Sequence, residues 1–560
     1  MAPQSIAPGF GRDIASLESV QYHGPRSLAE GRLVEILYMR NENSKSQTSA
    51  RIVLAVTILG SSMAFIDGTV VNVALPALQN AFHASVADVQ WVVESYALML
   101  AALLLVGGSL GDIFGRRKVY VFGVAIFAAA SAWCGLARNI HMLIWARSIQ
   151  GLGAALLVPG SLALITASFP EETRGQAIGT WSGFSAITAA IGPVIGGWLI
   201  EYSTWRWVFF LNLPLALAVI VLSAKVPESR NEKASHHLDW PGALLATLGL
   251  GGVTYALIEW PARARHGGHL VAAAACLGVV ALGGFAAVEH WSRVPMVSLR
   301  LFRSRNFAGA NLLTLFLYAS LGGLLFFFPM DLIQIQHYTA TEAGAAFLPF
   351  IAIMFTLSRW AGGLVARYGS RLPLTVGPLV AGCGIALFAV TPQHGNYWTA
   401  FFPAVVVMGL GMTISVAPLT TTVMNAVPDS ESGLASGVNN AVSRLASLLA
   451  VAAFGVALVT VFNHSLDQHL SQLALSPNVH AQIDAARPQL AATHNPDPRV
   501  QHAITESFLS GYRAVIWIAT GLAALSAIAA WVLLESGTPS SAERVFSDKR
   551  SCYDPQSHDE

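Results

Sequence analysis

Three charged side chains lie inside long apolar runs of this 560-residue chain: Asp67 in FIDGTVVNVALP, Glu94 in WVVESYAL and Arg147 in IWARSIQGLGAALLVPGS. A charge at that depth costs on the order of 3 kcal/mol unless it pairs, faces a cavity or is neutralised. Burial disfavours a charged carboxylate, so Asp67 is a candidate proton carrier. Its alternative is a structural carboxylate satisfied by Thr69, Asn72 or nearby backbone. Glu94 is read as a second proton site, a cation attractor, or an interfacial glutamate reaching headgroups. Arg147 needs a carboxylate or carbonyl partner, and by depth that partner is Asp67 or Glu94. Such a pair is either a protonation-sensitive lock or a permanent structural ion pair.

A denser charge cluster is GSLGDIFGRRK at 108–118. Gly108 and Gly115 permit tight turning there, and Asp112, Arg116, Arg117 and Lys118 crowd between two apolar runs. A third region, GTWSGFSAITAAIGPVIGG at 179–197, is rich in small residues. Gly179, Thr188, Gly192, Gly196 and Gly197 allow close helix approach, and Pro193 removes a donor and predicts a bend. Arg359 and Arg444 are read as structural cations that snorkel to a surface. Trp91, Trp205, Trp207 and Trp260 are read as interfacial anchors.

The elements that must position these residues are membrane spans. Only 11% of residues are charged and mean hydropathy is +0.55, against roughly 25% charged in a soluble domain. A span needs about 20 apolar residues. Fourteen segments meet that length: 52–75, 89–110, 119–137, 142–165, 177–200, 206–225, 241–259, 270–288, 308–330, 343–364, 373–391, 399–423, 436–462 and 511–534. The predicted fold is an all-α polytopic membrane protein with 14 transmembrane helices. Placing the N-terminus inside puts Arg116, Arg117, Lys118, Arg174, Lys225, Arg230, Arg303, Arg305, Arg367 and Arg371 in inner loops. The outer loops then hold about half as many cations, and both termini are expected in the cytoplasm of a bacterial-type inner membrane.

An internal repeat organises the spans. GSLGDIFGRR at 108–117 matches GGLVARYGSR at 362–371, QGLG at 150–153 matches MGLG at 408–411, and Pro159 matches Pro418. FPEETRGQAIG at 169–179 matches VPDSESGLASG at 427–437, and all offsets fall between 254 and 259. Two six-helix pseudo-repeats are therefore expected, at 51–226 and 308–535, with two inserted central helices at 227–307. Parallel repeats with a midplane site between them are the architecture of alternating-access carriers. Asp112 is matched by Ala366 and Arg147 by Val405, so the buried charges are expected to belong to the first half. The polar 463–510 stretch is expected as a mobile outer cap. Residues 1–50 form an N-terminal tail, with 1–38 read as a disordered extension or alternative start. Residues 536–560 form a C-terminal tail.

Several classes are disfavoured. Net charge is +1, which gives no case for nucleic acid. Cys134, Cys276, Cys383 and Cys552 have no metal or disulfide spacing. No GxxxxGK[ST] or HExxH motif occurs, and no catalytic group, metal or cofactor is indicated.

The motifs together resemble the major facilitator superfamily, within it the 14-helix drug:proton antiporter branch. GSLGDIFGRRK is similar to the family signature between spans 2 and 3, IDGTVVNVALP to the branch's span-1 signature and ARSIQGLGAA to its span-4 signature. GTWSGFSAITAAIGPVIGG resembles the antiporter signature, with Thr188 where glycine is usual. The resemblance covers about 50–535. It implies that Asp67 carries protonation or helps recognise cations, with Arg147 supporting proton transfer. It also implies a cytoplasmic latch made of Asp112, Arg116 and Arg117, and an inter-half bend at Gly192, Pro193, Gly196 and Gly197. The function expected is proton-coupled export of an amphipathic small molecule, the acids favouring cationic cargo; a periplasmic adaptor is left open. The alternatives are a narrow exporter or importer of one metabolite and, more remotely, a membrane sensor or lipid-modifying enzyme.

Overall fold

A computed structural model describes residues 26–535 apart from 231–238, 264–267, 293–296, 298, 393–394, 429–431, 474 and 494. Helices satisfy their own backbone polar groups, which hydrocarbon cannot do. Among the described residues, thirteen helices are long and apolar enough to cross a membrane, joined by one shorter apolar helix over Trp207–Ser223. The fourteen-segment expectation therefore holds, with its sixth member short.

The first half contains α1 (Arg26–Phe82), α2 (Val86–Phe114), α3 (Arg116–Gly135), α4 (Ile140–Ser168) and α5 (Glu171–Tyr202). It closes with α6 (Trp207–Phe210) and α7 (Asn212–Ser223), which together form the short sixth span. Local chemistry sets several starts. Ser85 and Asp88 form a capping box before α2, and the Asn139 side chain accepts from the Met142 amide at the start of α4. The inserted pair is α8 (Trp240–Arg263) and α9 (His269–Trp291).

The second half runs through α10 (Arg305–Gln334), α11 (Ala340–Ala345), α12 (Leu348–Gly362), α13 (Leu364–Tyr368) and α14 (Arg371–Leu387). It continues with α15 (Tyr397–Ala400), α16 (Phe402–Asn425), α17 (Ser432–Ser471), α18 (Pro477–Ala486) and α19 (Pro498–Leu533). Within the first half, α4 packs against α2 and α3, and α1 against α5. In the second, α16 packs against α14, and α10 against α17 and α19. The inserted helices pack on each other, and α8 also meets α2 and α17.

Some expectations change. The helix of span 1 begins at Arg26, so 26–50 continues it rather than forming an irregular tail; residues 1–25 and 536–560 lie outside the described residues. The 463–510 stretch is not an open loop. α17 extends to Ser471, α18 and a short 3₁₀ segment follow, and Ile483, Leu490 and Val500 are buried. Its apolar residues are spaced to fold back on the bundle, which average polarity conceals. Trp205 is buried between Phe82 and Phe209 rather than anchored at a surface; of the four tryptophans expected as anchors, Trp207 and Trp260 are broadly exposed.

The two halves meet mainly at one end. That end is opposite the Arg116–Lys118 turn and is called here the far end, the other being the basic end. At the far end α5 packs against α11: a Cβ on Gly197 would lie 2.2 Å from the Ala340 carbonyl oxygen, and one on Gly344 would lie 2.1 Å from that of Pro193. The Gln334 amide donates to Gln79 Oε1 at 2.8 Å, joining α10 to α1. Towards the basic end, Gly175, Gly179 and Gly183 of α5 would meet nothing within 4 Å. Along α5 the cleft between the halves is thus shut at the far end and open at the basic end.

Candidate functional site

The centre of the first half holds a buried polar network. Arg147 Nη1 donates to Asp67 Oδ2 at 2.5 Å, with both side chains at most 1% exposed. Gln150 Nε2 donates to Asp67 Oδ1 at 2.8 Å, and Asn212 Nδ2 donates to the same oxygen at 3.2 Å. Arg147 also donates to Gln150 Oε1 at 2.7 Å and, through Nε, to the Val92 carbonyl at 3.0 Å. Its guanidinium lies 4.2 Å over the Tyr96 ring. Asn212 is itself held by Ser131 Oγ at 3.0 Å, and Ser131 donates to the Phe209 carbonyl at 2.8 Å.

Each helix contributes through its spacing. Arg147 and Gln150 are three residues apart, hence on one face of α4. Gly151 and Gly153 follow and let the helix approach α2 and α3: a Cβ would lie 2.4 Å from the Tyr96 carbonyl oxygen and 2.6 Å from the Phe127 amide. Close backbones bring the short Asp67 carboxylate within reach of the guanidinium. Burying two charges is repaid only when geometry and remaining hydrogen bonds are good, and here both carboxylate oxygens are satisfied. Thr69 and Asn72 are not its partners: Thr69 bonds the Phe65 and Ile66 carbonyls, and Asn72 Oδ1 is unpartnered.

Asp67 lies near the middle of its span, because the helix continues through Pro76 to Phe82. Although Asp67 is shielded, its neighbour Gly68 is exposed and a Cβ there would meet nothing within 4 Å. Open space therefore lies beside the next residue of the helix, about 100° around from Asp67.

Glu94 is not in this network. Its side chain is 1% exposed, and Oε2 has no hydrogen-bond partner among the described residues. It sits two residues from both Val92 and Tyr96, about 200° around the helix from each. On its side of α2, Gln90 donates to the Val451 carbonyl of α17 at 2.9 Å and Leu98 nears Gly251 of α8. Glu94 thus faces the junction with the insert and the second half.

The other predicted groups separate. Asp112 pairs with Arg116 at 2.7 Å, and Arg117 donates through its amide to Glu228 at 3.0 Å and through Nη1 to the Val226 carbonyl at 2.9 Å. Gly115 has φ +108°, and Gly108 lies loosely against Pro159. Among the described residues, the hydrogen bonds and ion pairs of these groups stay within the first half and the linker after it. In α5, Gly192 and Gly196 pack on Thr69 and Val70 of α1, whereas Gly197 and Pro193 meet the second half. Thr188 bonds its own helix at the Phe184 and Ser185 carbonyls, and Gly179 touches nothing. The helix is continuous across Pro193.

Two participants escape a reading by charge, and two charged residues sit where the sequence reading did not put them. Gln150 and Asn212 are uncharged. Asp331, fully buried in α10, sits one residue beyond the expected span, near Gln336, Tyr512 and Arg513. This corrects the expectation that buried acids belong only to the first half. Arg444 is half-buried and within electrostatic range of Tyr96, so it faces the interior instead of a lipid surface.

The sequence pattern of the Major Facilitator Superfamily matches residues 57–451. The chain belongs to that superfamily. It is a multi-pass membrane transporter, not an enzyme. The "Multidrug resistance protein Stp" of Mycobacterium tuberculosis is 34% identical over 500 residues, covering 86% of this chain and 91% of that protein. The "Puromycin resistance protein pur8" of Streptomyces alboniger is 33% identical over 497 residues, covering 88% of this chain and 92% of that protein. The motif resemblance to the drug:proton antiporter branch is thereby borne out. Among solved superfamily structures, a bacterial homologue of the human lysosomal transporter Spinster, inward-facing and unoccupied, aligns with TM-score 0.63 at 19% identity. That alignment covers 87% of this chain and 98% of the homologue, and it speaks to the fold alone.

Proposed function

We propose that this protein exports amphipathic small molecules across a bacterial-type inner membrane in exchange for protons. The basic end faces the cytoplasm, as do both termini, and the open cleft is the side from which cargo enters. The observation that carries the reading is the Asp67–Arg147 pair, wholly buried while open space lies beside the next residue of the helix. Protonating Asp67 removes one charge of the pair and leaves Arg147 to Gln150 and Val92. An unpaired buried charge costs roughly 3–5 kcal/mol, enough to bias one arrangement of the halves over another. One proton moving down 100 mV supplies about 2.3 kcal/mol.

Glu94 serves as a second acid at the junction with α8 and α17, suited to cationic cargo. Asp112, Arg116 and Arg117 act as a latch that exchanges partners when the basic end closes. Gly192, Pro193, Gly196 and Gly197 of α5 form the bend that seals the far end. The names of the relatives, given for resistance to multiple drugs and to puromycin, support drug-like cargo.

The test is cargo efflux from vesicles under an imposed pH gradient, screened over a panel of cationic and neutral inhibitors. Asp67→Asn is expected to abolish the proton-driven component while downhill exchange of cargo persists. If Asp67→Asn and Arg147→Ala both leave proton-driven efflux intact, the mechanism is wrong.

A further inference from the structure

A groove of about 440 Å³ runs between α3 and α7 on the outer surface of the bundle at its basic end. Arg117 and Lys118 stand at its mouth, and Val121, Phe122, Ala125 and Ile220 form its walls. Phe122 is 62% exposed, and Leu217 and Val221 of α7 are equally open, so among the described residues no helix covers this face and it is left to hydrocarbon. From Lys118 to Ala125 is seven residues, about 10 Å of helix. That length lies within one leaflet of a hydrocarbon core about 30 Å thick.

The charges at the mouth are unequal. Arg117 is partly engaged, with Nε 3.7 Å from Glu228 Oε2 and Nη1 on the Val226 carbonyl. Lys118 is exposed and has no ion-pair partner among the described residues. Around them lie Arg116, Lys225 and Arg230, with Asp112 and Glu228 the carboxylates in 112–118 and 225–230. Cations exceed acids, and the exposed Lys118 sits at the head of an apolar slot.

We propose that this groove is a binding site for an anionic phospholipid, one acyl chain lying along Val121, Phe122, Ala125 and Ile220 and the headgroup phosphate seated on Lys118. The Glu228 carboxylate repels the phosphate from its own side of Arg117, which fixes the headgroup towards Lys118. The site adjoins the turn that carries Asp112, so its occupancy ties the leaflet's charge to that turn. None of this depends on which way the protein is inserted.

Native mass spectrometry of the full-length protein in detergent tests it, with phosphatidylglycerol and phosphatidylcholine of identical chains as probes. The wild type is expected to retain its first phosphatidylglycerol about fivefold better than phosphatidylcholine, the effect of roughly one interfacial cation. Lys118→Gln should erase that preference and Lys118→Arg should keep it. Ala125→Trp, or the milder Ala125→Leu, should weaken retention of both lipids. Glycerol phosphate lacking chains should displace neither. Equal retention of the two lipids by the wild type, an undiminished preference in Lys118→Gln, or displacement by glycerol phosphate would each overturn the site.

Discussion

The two halves share a backbone plan and differ in what fills it. In α4 the sequence Arg147, Gln150, Gly151, Gly153 occupies the repeat positions taken in α16 by Val405, Met408, Gly409 and Gly411. The second glycine of each pair does similar work: a Cβ on Gly153 would lie 2.6 Å from the Phe127 amide, and one on Gly411 2.1 Å from that of Ala381. The turn glycines correspond too, with φ +108° at Gly115 and +72° at Gly369. Yet the first half buries Asp67, Arg147, Gln150 and Asn212, while the second packs Phe328 edge-on against Phe347 and Phe388 at 5.0 and 4.9 Å. Backbone approach is demanded by the fold and was kept in both copies. Charge is demanded only by the work done, and at this repeat position it resides in one.

Replacing the repeat twins by alanine should expose that difference most strongly. Arg147→Ala strands Asp67 beside Gln150 and Asn212, at an expected cost of about 3–5 kcal/mol. Val405→Ala removes two methyl groups from an apolar contact and should cost about 1–2 kcal/mol. Unfolding of the purified variants in detergent measures both. Equal losses would mean that the pair contributes packing and not charge.

The shared backbone requirement predicts the next effect. Gly153→Ala and Gly411→Ala each push a methyl group into neighbouring main chain, so both should destabilise by about 1–3 kcal/mol. Here the halves should behave alike, as read by the same unfolding measurement. A large loss in one and none in the other would break the symmetry of the packing.

How much of this was legible follows from the same distinction. Spans and repeat were readable because apolar length and turn glycines are physical requirements of crossing a bilayer twice over. That Arg147 pairs with a buried carboxylate was readable because opposite charges at similar depth have few alternatives, although depth alone left Asp67 and Glu94 both open. Gln150 and Asn212 were not, since an amide among glycines and leucines gives no signal until its partner is placed. Glu94 misled by depth alone: helix phase, 200° from Val92 and Tyr96, sends it to a different neighbour. Asp331 was missed for a boundary reason, as α10 runs to Gln334, four residues past the apolar run.

A smaller effect is expected where the halves touch through equivalent residues. Gln79 and Gln334 differ by 255 positions, within the repeat offset, and meet at the far end. Losing that hydrogen bond costs about 0.5–1.5 kcal/mol, a shift of roughly two- to tenfold towards a cleft open at the far end. Spin labels placed across that end in Gln334→Ala and Gln79→Ala should report the same shift for each. A bond that merely stabilises one half would leave the label distances unchanged.

The smallest stability effect belongs to Gly179, whose repeat twin is Gly437. A Cβ on Gly179 meets nothing within 4 Å, and one on Gly437 only touches Leu105 at 3.8 Å. Gly179→Ala should therefore be neutral or stabilise by under about 1 kcal/mol, since alanine loses less backbone freedom on forming a helix. Bulk separates stability from function at this position. If the basic end must close during transport, Gly179→Trp should leave the unfolding midpoint near that of the wild type and still suppress efflux, because the ring occupies the space that closure removes. The corresponding change at Gly437 presses on Leu105 already and should lower stability as well. Full efflux by a stable Gly179→Trp protein would show that this stretch of α5 stays clear of the second half throughout the cycle, and would confine inter-half closure to other helices.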